Sequence, residues 1–309
     1  MGRFDDRATR PARGPADLFR WRVLDRLRGA STSHREAVGV PAPHTPNDGA
    51  ALHDLAASLT WIGHASFALR LGGKLVVVDP IWSTHIHGVV PRFVPPGVAW
   101  EAMPKPDVVL ITHNHYDHLD LPTLQRIGPG ARYVVPMGLG ALLRRNGLHD
   151  VVELDWWATA LEGALACTLV PARHWSMRAP WDRNDSLWGG WVLRGPEGTA
   201  YHAGDTAYFD GFAEIGRRCG PIDWAMLPIG AYAPRWFMEP QHMDPDDSVR
   251  AFGDLGARVF VAMHWGTFKL TDEPLHEPPE TLQALWEAAG HDPSRLWVLA
   301  VGETRPLVR

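Results

Sequence analysis

His113-Asn114-His115-Tyr116-Asp117-His118 follows directly on the apolar run Val108, Val109, Leu110 and Ile111. Four side chains able to bind a metal thus stand within six positions, on a loop that leaves a buried strand. No packing requirement explains such a cluster. Imidazoles and carboxylates crowded together repel when charged, and each costs several kcal/mol to desolvate unless something pairs with it. A divalent cation is the usual partner, and imidazole together with carboxylate suits zinc, iron or manganese.

The rest of the chain bounds what such a centre could serve. Its 309 residues are 45% hydrophobic and 21% charged, as in ordinary globular proteins. The expected organisation is one main domain over residues 56–309 preceded by an extension over residues 1–55. The formal charge of −5 gives no general attraction to nucleic acid, although residues 1–30 hold eight Arg and four Asp. Two cysteines, Cys167 and Cys219, with no CxxC, exclude a zinc ribbon or a thioredoxin-type site and read as reduced thiols. No apolar leader segment precedes the first charges, and no run approaches the roughly 18 apolar residues of a spanning helix. The expectation is a cytoplasmic protein able to touch a membrane surface.

Residues 1–16, rich in Arg, Pro and Gly, read as disordered. Residues 17–28 read as a short basic amphipathic helix with Leu18, Trp21, Leu24 and Leu27 on one face. Such a helix either lies on an anionic bilayer or docks on its own domain with arginine stems over apolar surface. Residues 31–55, with Pro41, Pro43 and Pro46, read as an irregular connector. From Leu59 onward, residues 60–69 and 74–80 predict two strands joined at Gly72-Gly73, and residues 108–112 a buried strand. Short strands are expected at 133–136, 151–154, 168–172, 190–193, 200–203, 223–228, 259–264 and 296–301. Helices are expected at 121–127, 139–146, 207–219, 244–255 and 279–289, the fourth with Asp and Pro at its start. Strands come in two batches with helices after each, which predicts two sheets face to face with helices outside.

Three further polar groups follow strands: Arg173-His174-Trp175, Gly204-Asp205-Thr206 and His264-Trp265-Gly266. Taken alone, His174 or His264 would read as a structural histidine. Beside residues 113–118, each becomes a candidate ligand on a strand-end loop.

The order His-x-His-x-Asp-His, a lone His, Gly-Asp-Thr and a last His is that of the metallo-β-lactamase fold hydrolases. The resemblance extends to the N-acylphosphatidylethanolamine-hydrolysing phospholipase D branch through several runs. These are Trp61-Ile62-Gly63-His64-Ala65, Leu187-Trp188-Gly189, Pro228-Ile229-Gly230-Ala231-Tyr232, Pro234-Arg235-Trp236-Phe237-Met238, Gln241-His242 and His264-Trp265-Gly266-Thr267-Phe268. It covers residues 59–305. The resemblance implies an α/β fold, a four-layer αββα sandwich, with two zinc ions, the donor set also tolerating iron or manganese. His113, His115 and His174 would hold one ion. Asp117, His118 and His264 would hold the other, with Asp205 between them. Two cations about 3.5–4 Å apart share a water and lower its pKa, giving a metal-bridged hydroxide as nucleophile. Asp117, Asp205 and His242 are the candidate catalytic groups. The implied activity is hydrolysis of N-acylphosphatidylethanolamine-like glycerophospholipids to phosphatidic acid and an N-acylethanolamine. The alternative is a hydrolase of the same fold acting on a lactone or a sugar-phosphate lactone. The resemblance also makes a homodimer a candidate assembly.

Around these groups, His64 and Asp79 are expected to orient ligands through hydrogen bonds. His85 and His87 read as lip or surface residues. Arg178, Arg235, Trp236 and Gln241 are the candidate substrate-binding residues, either arginine being equally readable as a structural ion pair. Trp82, Trp175 and Trp181 join Trp236 as candidate walls of an acyl groove.

Overall fold

A computed structural model of the protein describes residues 2–8, 14–25, 27, 38–54 and 56–308. In chain order, β1 (Ser58–Gly63), β2 (Ser66–Leu71) and β3 (Lys74–Val78) open a first sheet, and β4 (His85–Ile86) and β5 (Val90–Pro91) form a small side hairpin. The first sheet continues with β6 (Val108–Leu110), β7 (Arg132–Pro136) and β8 (Val151–Leu154). The second sheet holds β9 (Thr159–Glu162), β10 (Leu165–Val170), β11 (Gly190–Gly195), β12 (Gly198–His202), β13 (Trp224–Pro228), β14 (Val259–Met263) and β15 (Leu296–Trp297). The last strand, β16 (Thr304–Pro306), returns to the free edge of β1. The orders are β16-β1-β2-β3-β6-β7-β8 and β15-β14-β13-β12-β11-β10-β9.

Alternation decides which residues face which layer. Val108 and Leu110 of β6 enter the large core between the sheets, while Val109 and Ile111 face a separate cluster with Leu124, Ile127, Leu139 and Leu143. Those last four belong to, or adjoin, the helices α3 (Leu121–Ile127) and α4 (Gly140–Arg145), numbered after α1 (Pro15–Phe19) and α2 (Ala50–His53) near the N-terminus. The outer face of the second sheet carries α5 (Gly211–Cys219), α7 (Pro245–Leu255) and α8 (Glu277–Ala288), with α6 (Arg235–Met238) at the sheet's end. Trp286 of α8 meets Phe252 of α7 and Phe260 of β14 at ring separations of 5.1 and 5.8 Å. The result is the expected helix–sheet–sheet–helix order. No helix among the described residues is long and apolar enough to cross a membrane.

Strand direction places the functional residues. β3, β6, β7 and β8 are mutually parallel, and β1 joins them in direction through antiparallel β2. In the second sheet β12, β13 and β14 are parallel, and β10 matches them through antiparallel β11. The C-terminal ends of β1, β3, β6, β10, β12 and β14 therefore carry His64, Asp79, residues 113–118, His174, Asp205 and His264.

Several sequence expectations are corrected. Residues 60–69 do not form one strand. Gly63 and His64 adopt positive φ of 119° and 55°, the chain reverses, and Trp61 pairs with Phe67 across β1 and β2. The strand expected over residues 296–301 stops at Trp297, and Val301 instead bridges His44. Strands β9 and β16 and helix α6 had no expectation. Residues 2–8 are not disordered: they form a 3-10 turn, Asp5–Arg7, with Phe4 in the main core. Arg7 pairs with Asp155 and stacks on Trp156. The disorder expected for residues 1 and 9–13 lies outside the described residues. The helix expected at 17–28 runs as α1 followed by a π-helical stretch, Arg20–Asp25, with residues 26 and 28 outside the description. It docks on its own domain: Trp21 is buried against Ala231, Phe237 and Met238, and its Nε1 donates to Asp272.

Trp191 ties the two sheets together. It is fully buried on β11, and its Nε1 donates to the carbonyl oxygen of Ile111 at 3.0 Å, just ahead of the histidine-rich loop. Trp191→Ala is expected to lower unfolding free energy by about 3–5 kcal/mol, read from urea denaturation followed by circular dichroism.

Candidate metal centre

The strand ends bring two groups of donors together. His113, His115, His174 and Asp205 form one, and His64, Asp117, His118 and His264 the other; within each, candidate ligand atoms lie within 4.8 Å of one another. Asp205 stands between them. Its Oδ1 is 3.1 Å from His264 Nε2, and its Oδ2 is 3.3 Å from His118 Nε2 and 3.9 Å from both His113 and His174 Nε2. Asp117 Oδ2 lies 3.4 Å from His118 Nε2, 3.6 Å from His264 Nε2 and 2.9 Å from His64 Nε2.

The local backbone is built for this convergence. His64, Asp79 and His264 all adopt left-handed φ, at 55°, 44° and 63°. Such conformations in non-glycine residues cost of order 1–3 kcal/mol each and cluster at functional sites. Gly204 is required beside Asp205: its φ is 62°, and a Cβ there would come within 2.9 Å of the Thr112 Cβ.

The donor chemistry fits a cation. His115 Nε2, His118 Nε2, His264 Nε2 and Asp205 Oδ1 are buried with no hydrogen-bond partner. Buried polar atoms are almost always satisfied, so a convergent set of orphans points to a missing positive partner. The opposite ring edges are held by the protein. Asp79 accepts from His118 Nδ1 at 2.7 Å while also accepting from Thr112 N and Oγ1. His174 Nδ1 donates to the Gln241 carbonyl at 3.0 Å, and Thr112 Oγ1 meets His113 Nδ1 at 2.9 Å. Outer partners of this kind fix ring orientation and ligand basicity.

The electrostatics divide the site. Burial pushes His115 down to about 3 and His174 to about 4, and takes His113 and His242 well below the ordinary imidazole range. Burial also opposes charge on His118 and His264. In His118 it is outweighed by Asp205, Asp117 and Asp79, which hold the ring well above its usual value. In His264 the charge of Asp205, with the Asp117 carboxylate also close by, raises it to about 9. Against burial, His118 holds Asp117 and Asp205 well below the usual carboxylate range.

The residues expected to contact substrate also make contacts within the protein. Arg235 uses its whole guanidinium inside the protein, with Nε 3.1 Å from Asp244, Nη2 2.8 Å from Asp247 and Nη1 donating to the His242 carbonyl. Of its two readings, the ion pair is the one formed, and it holds the turn that presents His242. Arg178 Nη1 donates to backbone carbonyls of Asn114 and Leu119. Trp236 is half-buried beneath the Arg20 guanidinium, 4.3 Å from its ring centroid. Gln241 is buried, with Oε1 unpartnered, and supplies its carbonyl to His174. His242 does reach the centre: its Nδ1, without a hydrogen-bond partner, lies 3.9 Å from Asp205 Oδ2. Trp82 belongs to the core, with Nε1 on the Val98 carbonyl, whereas Trp175 sets its edge 4.6 Å from the His115 ring and Trp181 is exposed. His85 is exposed, and His87 stacks on Tyr116 at 3.9 Å.

Glu273 went unread in the sequence. Its buried carboxylate accepts from Ala231 N, Tyr232 N, Ala233 N and Thr271 Oγ1, and so fixes the loop leading to His242. A lone glutamate between Asp272 and Pro274 gave no periodic signal, because its partners lie about 40 residues away in sequence.

Residues 74–265 match the family model described as a beta-lactamase superfamily domain. An uncharacterized protein of Mycobacterium tuberculosis is 42% identical over 241 residues, which cover 74% of this chain and 64% of that protein, so the match spans less than two thirds of the relative. The N-acyl-phosphatidylethanolamine-hydrolyzing phospholipase D 1 of Caenorhabditis elegans is 36% identical over 248 residues, 74% of this chain and 69% of that enzyme. A solved metallo hydrolase from Ignicoccus hospitalis superposes with a TM-score of 0.63 at 26% identity, over 81% of this chain and 97% of that one. With its strand-end donors and two-sheet sandwich, the chain belongs to the beta-lactamase superfamily and resembles the metal-dependent hydrolases of this fold, the N-acylphosphatidylethanolamine-hydrolysing phospholipases D among them.

Proposed function

We propose that the protein is a zinc-dependent phosphodiesterase of phospholipase D type, acting on N-acylphosphatidylethanolamine-like glycerophospholipids. The observation that carries this reading is the 36% identity to the Caenorhabditis elegans enzyme on a chain whose donor residues converge in two groups. His113, His115 and His174 would hold one ion, and Asp117, His118 and His264 the other, with Asp205 shared. The imidazole-rich set favours zinc, and iron or manganese satisfies the same donors. When bound, such a pair supplies Lewis acidity that acidifies a shared water and draws phosphoryl oxygens.

The chain's own groups then divide the work. Asp117 or Asp205 would orient the attacking water through a hydrogen bond from its proton. His64 holds Asp117, and Asp79 holds His118, so that neither donor turns away. His242 Nδ1 faces the centre and is the chain's candidate to hydrogen-bond the departing oxygen. Attack of water at phosphorus forms one P–O bond and breaks the P–O bond to the ethanolamine oxygen, which takes up a proton. The products are phosphatidic acid and an N-acylethanolamine.

The outward side of the N-terminal helix supports peripheral contact with a lipid surface. Trp21 is turned inward, leaving Leu18, Phe19 and Leu27 exposed at 46%, 56% and 81%. Apolar side chains beside arginines suit an interfacial helix.

Zinc-loaded protein is expected to release N-acylethanolamine from N-acylphosphatidylethanolamine in mixed micelles, detected by mass spectrometry. Asp205→Asn should reduce the rate by at least about 100-fold through loss of the shared carboxylate. Opening of lactones with no diester cleaved would sink the reading in favour of the lactonase alternative. His264, raised to about 9, is protonated at pH 7 in the metal-free protein. Zinc uptake should therefore release protons and tighten as pH rises towards 9, measurable by calorimetry in buffers of different ionisation enthalpy. Replacing Leu18 and Phe19 together by Ser should weaken sedimentation with anionic vesicles while leaving hydrolysis of bis(p-nitrophenyl) phosphate unchanged. Unaltered vesicle binding would refute contact through this helix.

A further inference from the structure

Arg178 belongs to neither donor group, yet it grips the loop that carries four of the donors. Its Nη1 donates to the carbonyl oxygens of Asn114 and Leu119, each at 2.8 Å. Those two carbonyls bracket His115, Asp117 and His118. The guanidinium carbon stands 4.0 Å from the centroid of the Tyr116 ring, and Tyr116 Oη donates back to the Arg178 carbonyl at 2.8 Å. The loop is thus held near its start, at its middle and just past its end by one residue. Between these points the amides of His118 and Leu119 turn back to the His115 carbonyl, while His64 and Asp79 hold the Asp117 and His118 side chains, so the backbone on either side of this turn is what Arg178 fixes.

The segment bearing Arg178 is held in turn. Asp182 Oδ1 accepts from the amides of Arg178 and Ala179, each at 2.8 Å. Asn184, at a left-handed φ of 56°, closes the segment by exchanging bonds with Ser176: its Oδ1 accepts from Ser176 N and its amide donates to Ser176 O. The remaining polar atoms of Asn184 meet the N-terminal turn. Its Nδ2 donates to Asp5 Oδ1 at 2.8 Å, and its carbonyl accepts from Phe4 N at 2.9 Å. Phe4 is anchored in the core between the sheets. Hydrogen bonds thus join Phe4 and Asp5 to Asn184 and Asn184 to Ser176, and the short run of chain from Ser176 to Arg178, braced by Asp182, connects them to the carbonyls of Asn114 and Leu119.

We propose that Arg178 is the positioning residue of the metal loop, and that the N-terminal turn acts on the metal centre through it. This rests on reading residues 113–118 as metal donors. His115 and Asp117, on the less buried part of the loop, depend most on this support. Loss of the grip should let them swing away and weaken metal binding beyond any general loss of stability.

The test titrates zinc into the full-length metal-free protein against a competing chromophoric chelator, with melting temperature recorded with and without metal. Arg178→Ala should lower zinc affinity by about 10–100-fold, the range typical for partners that orient ligands. The metal-dependent rise in melting temperature should shrink, whereas a purely structural defect would lower both melts equally. Arg178→Lys, whose ammonium can reach both carbonyls but cannot stack on Tyr116, should recover most of the affinity. Asp5→Ala should weaken zinc by about threefold in the wild-type background and add nothing to Arg178→Ala, as residues acting along one path do. It also serves as the readable variant if Arg178→Ala does not fold. Affinity within twofold of wild type in Arg178→Ala overturns the positioning role. A full Asp5 effect persisting on the Arg178→Ala background overturns the route through the N-terminal turn. Wild-type protein that takes up no zinc overturns the metal reading itself, and this proposal with it.

Discussion

Two carboxylates and five imidazoles are largely buried together at one edge of the sandwich. Asp117 and Asp205 stay ionised there because His118 and His264 carry the compensating charge, and those rings stay charged because the carboxylates are near. Neither partner could be buried alone without several kcal/mol of desolvation. The remaining architecture answers that constraint. Two sheets run six strand ends to one edge, left-handed residues turn the donors inward, and Asp79, Thr112 and the Gln241 carbonyl hold the outer edges of the rings.

Much of this was legible in the sequence, because the relevant signals are local. The cluster at 113–118 sits in six consecutive positions, and the apolar runs before His113, His174, Asp205 and His264 announced buried strands. What stayed illegible depends on partners far away in the chain. The reversal at Gly63-His64 lay inside the stretch of residues 60–69 that reads as one strand, and it is set by the positive φ of those two residues. Arg235 could be read as a ligand for phosphate or as half of an ion pair, and only the fold brings Asp244 and Asp247 to it. Glu273 gave no signal because three of its four donors, the amides of Ala231, Tyr232 and Ala233, are brought to it only by tertiary structure.

The N-terminal segment shows the same limit from the other side. Composition rich in Arg, Pro and Gly reads as disorder, since it offers little apolar surface to bury. Phe4 changes that outcome for residues 2–8, and Trp21 decides where the helix that follows docks. Phe4 enters the main core, and Trp21 fills a niche lined by Ala231, Phe237 and Met238. Each anchors beside a loop that borders the donors: residues 176–185 in one case and the segment containing α6 in the other. The extension is therefore built into the surroundings of the centre.

Because the donors are divided between the two sheets, the centre has a history as well as a geometry. A chain made from its N-terminus presents His113, His115, Asp117 and His118 together, before Asp205 and His264 exist. The early four stand on a loop whose Arg178 clamp is also still to come. An ion captured at that stage would meet an incomplete and unrestrained set of ligands and could leave again. Retention of an ion would need the donors of both sheets together, which would make metal selection a property of the finished fold rather than of the motif.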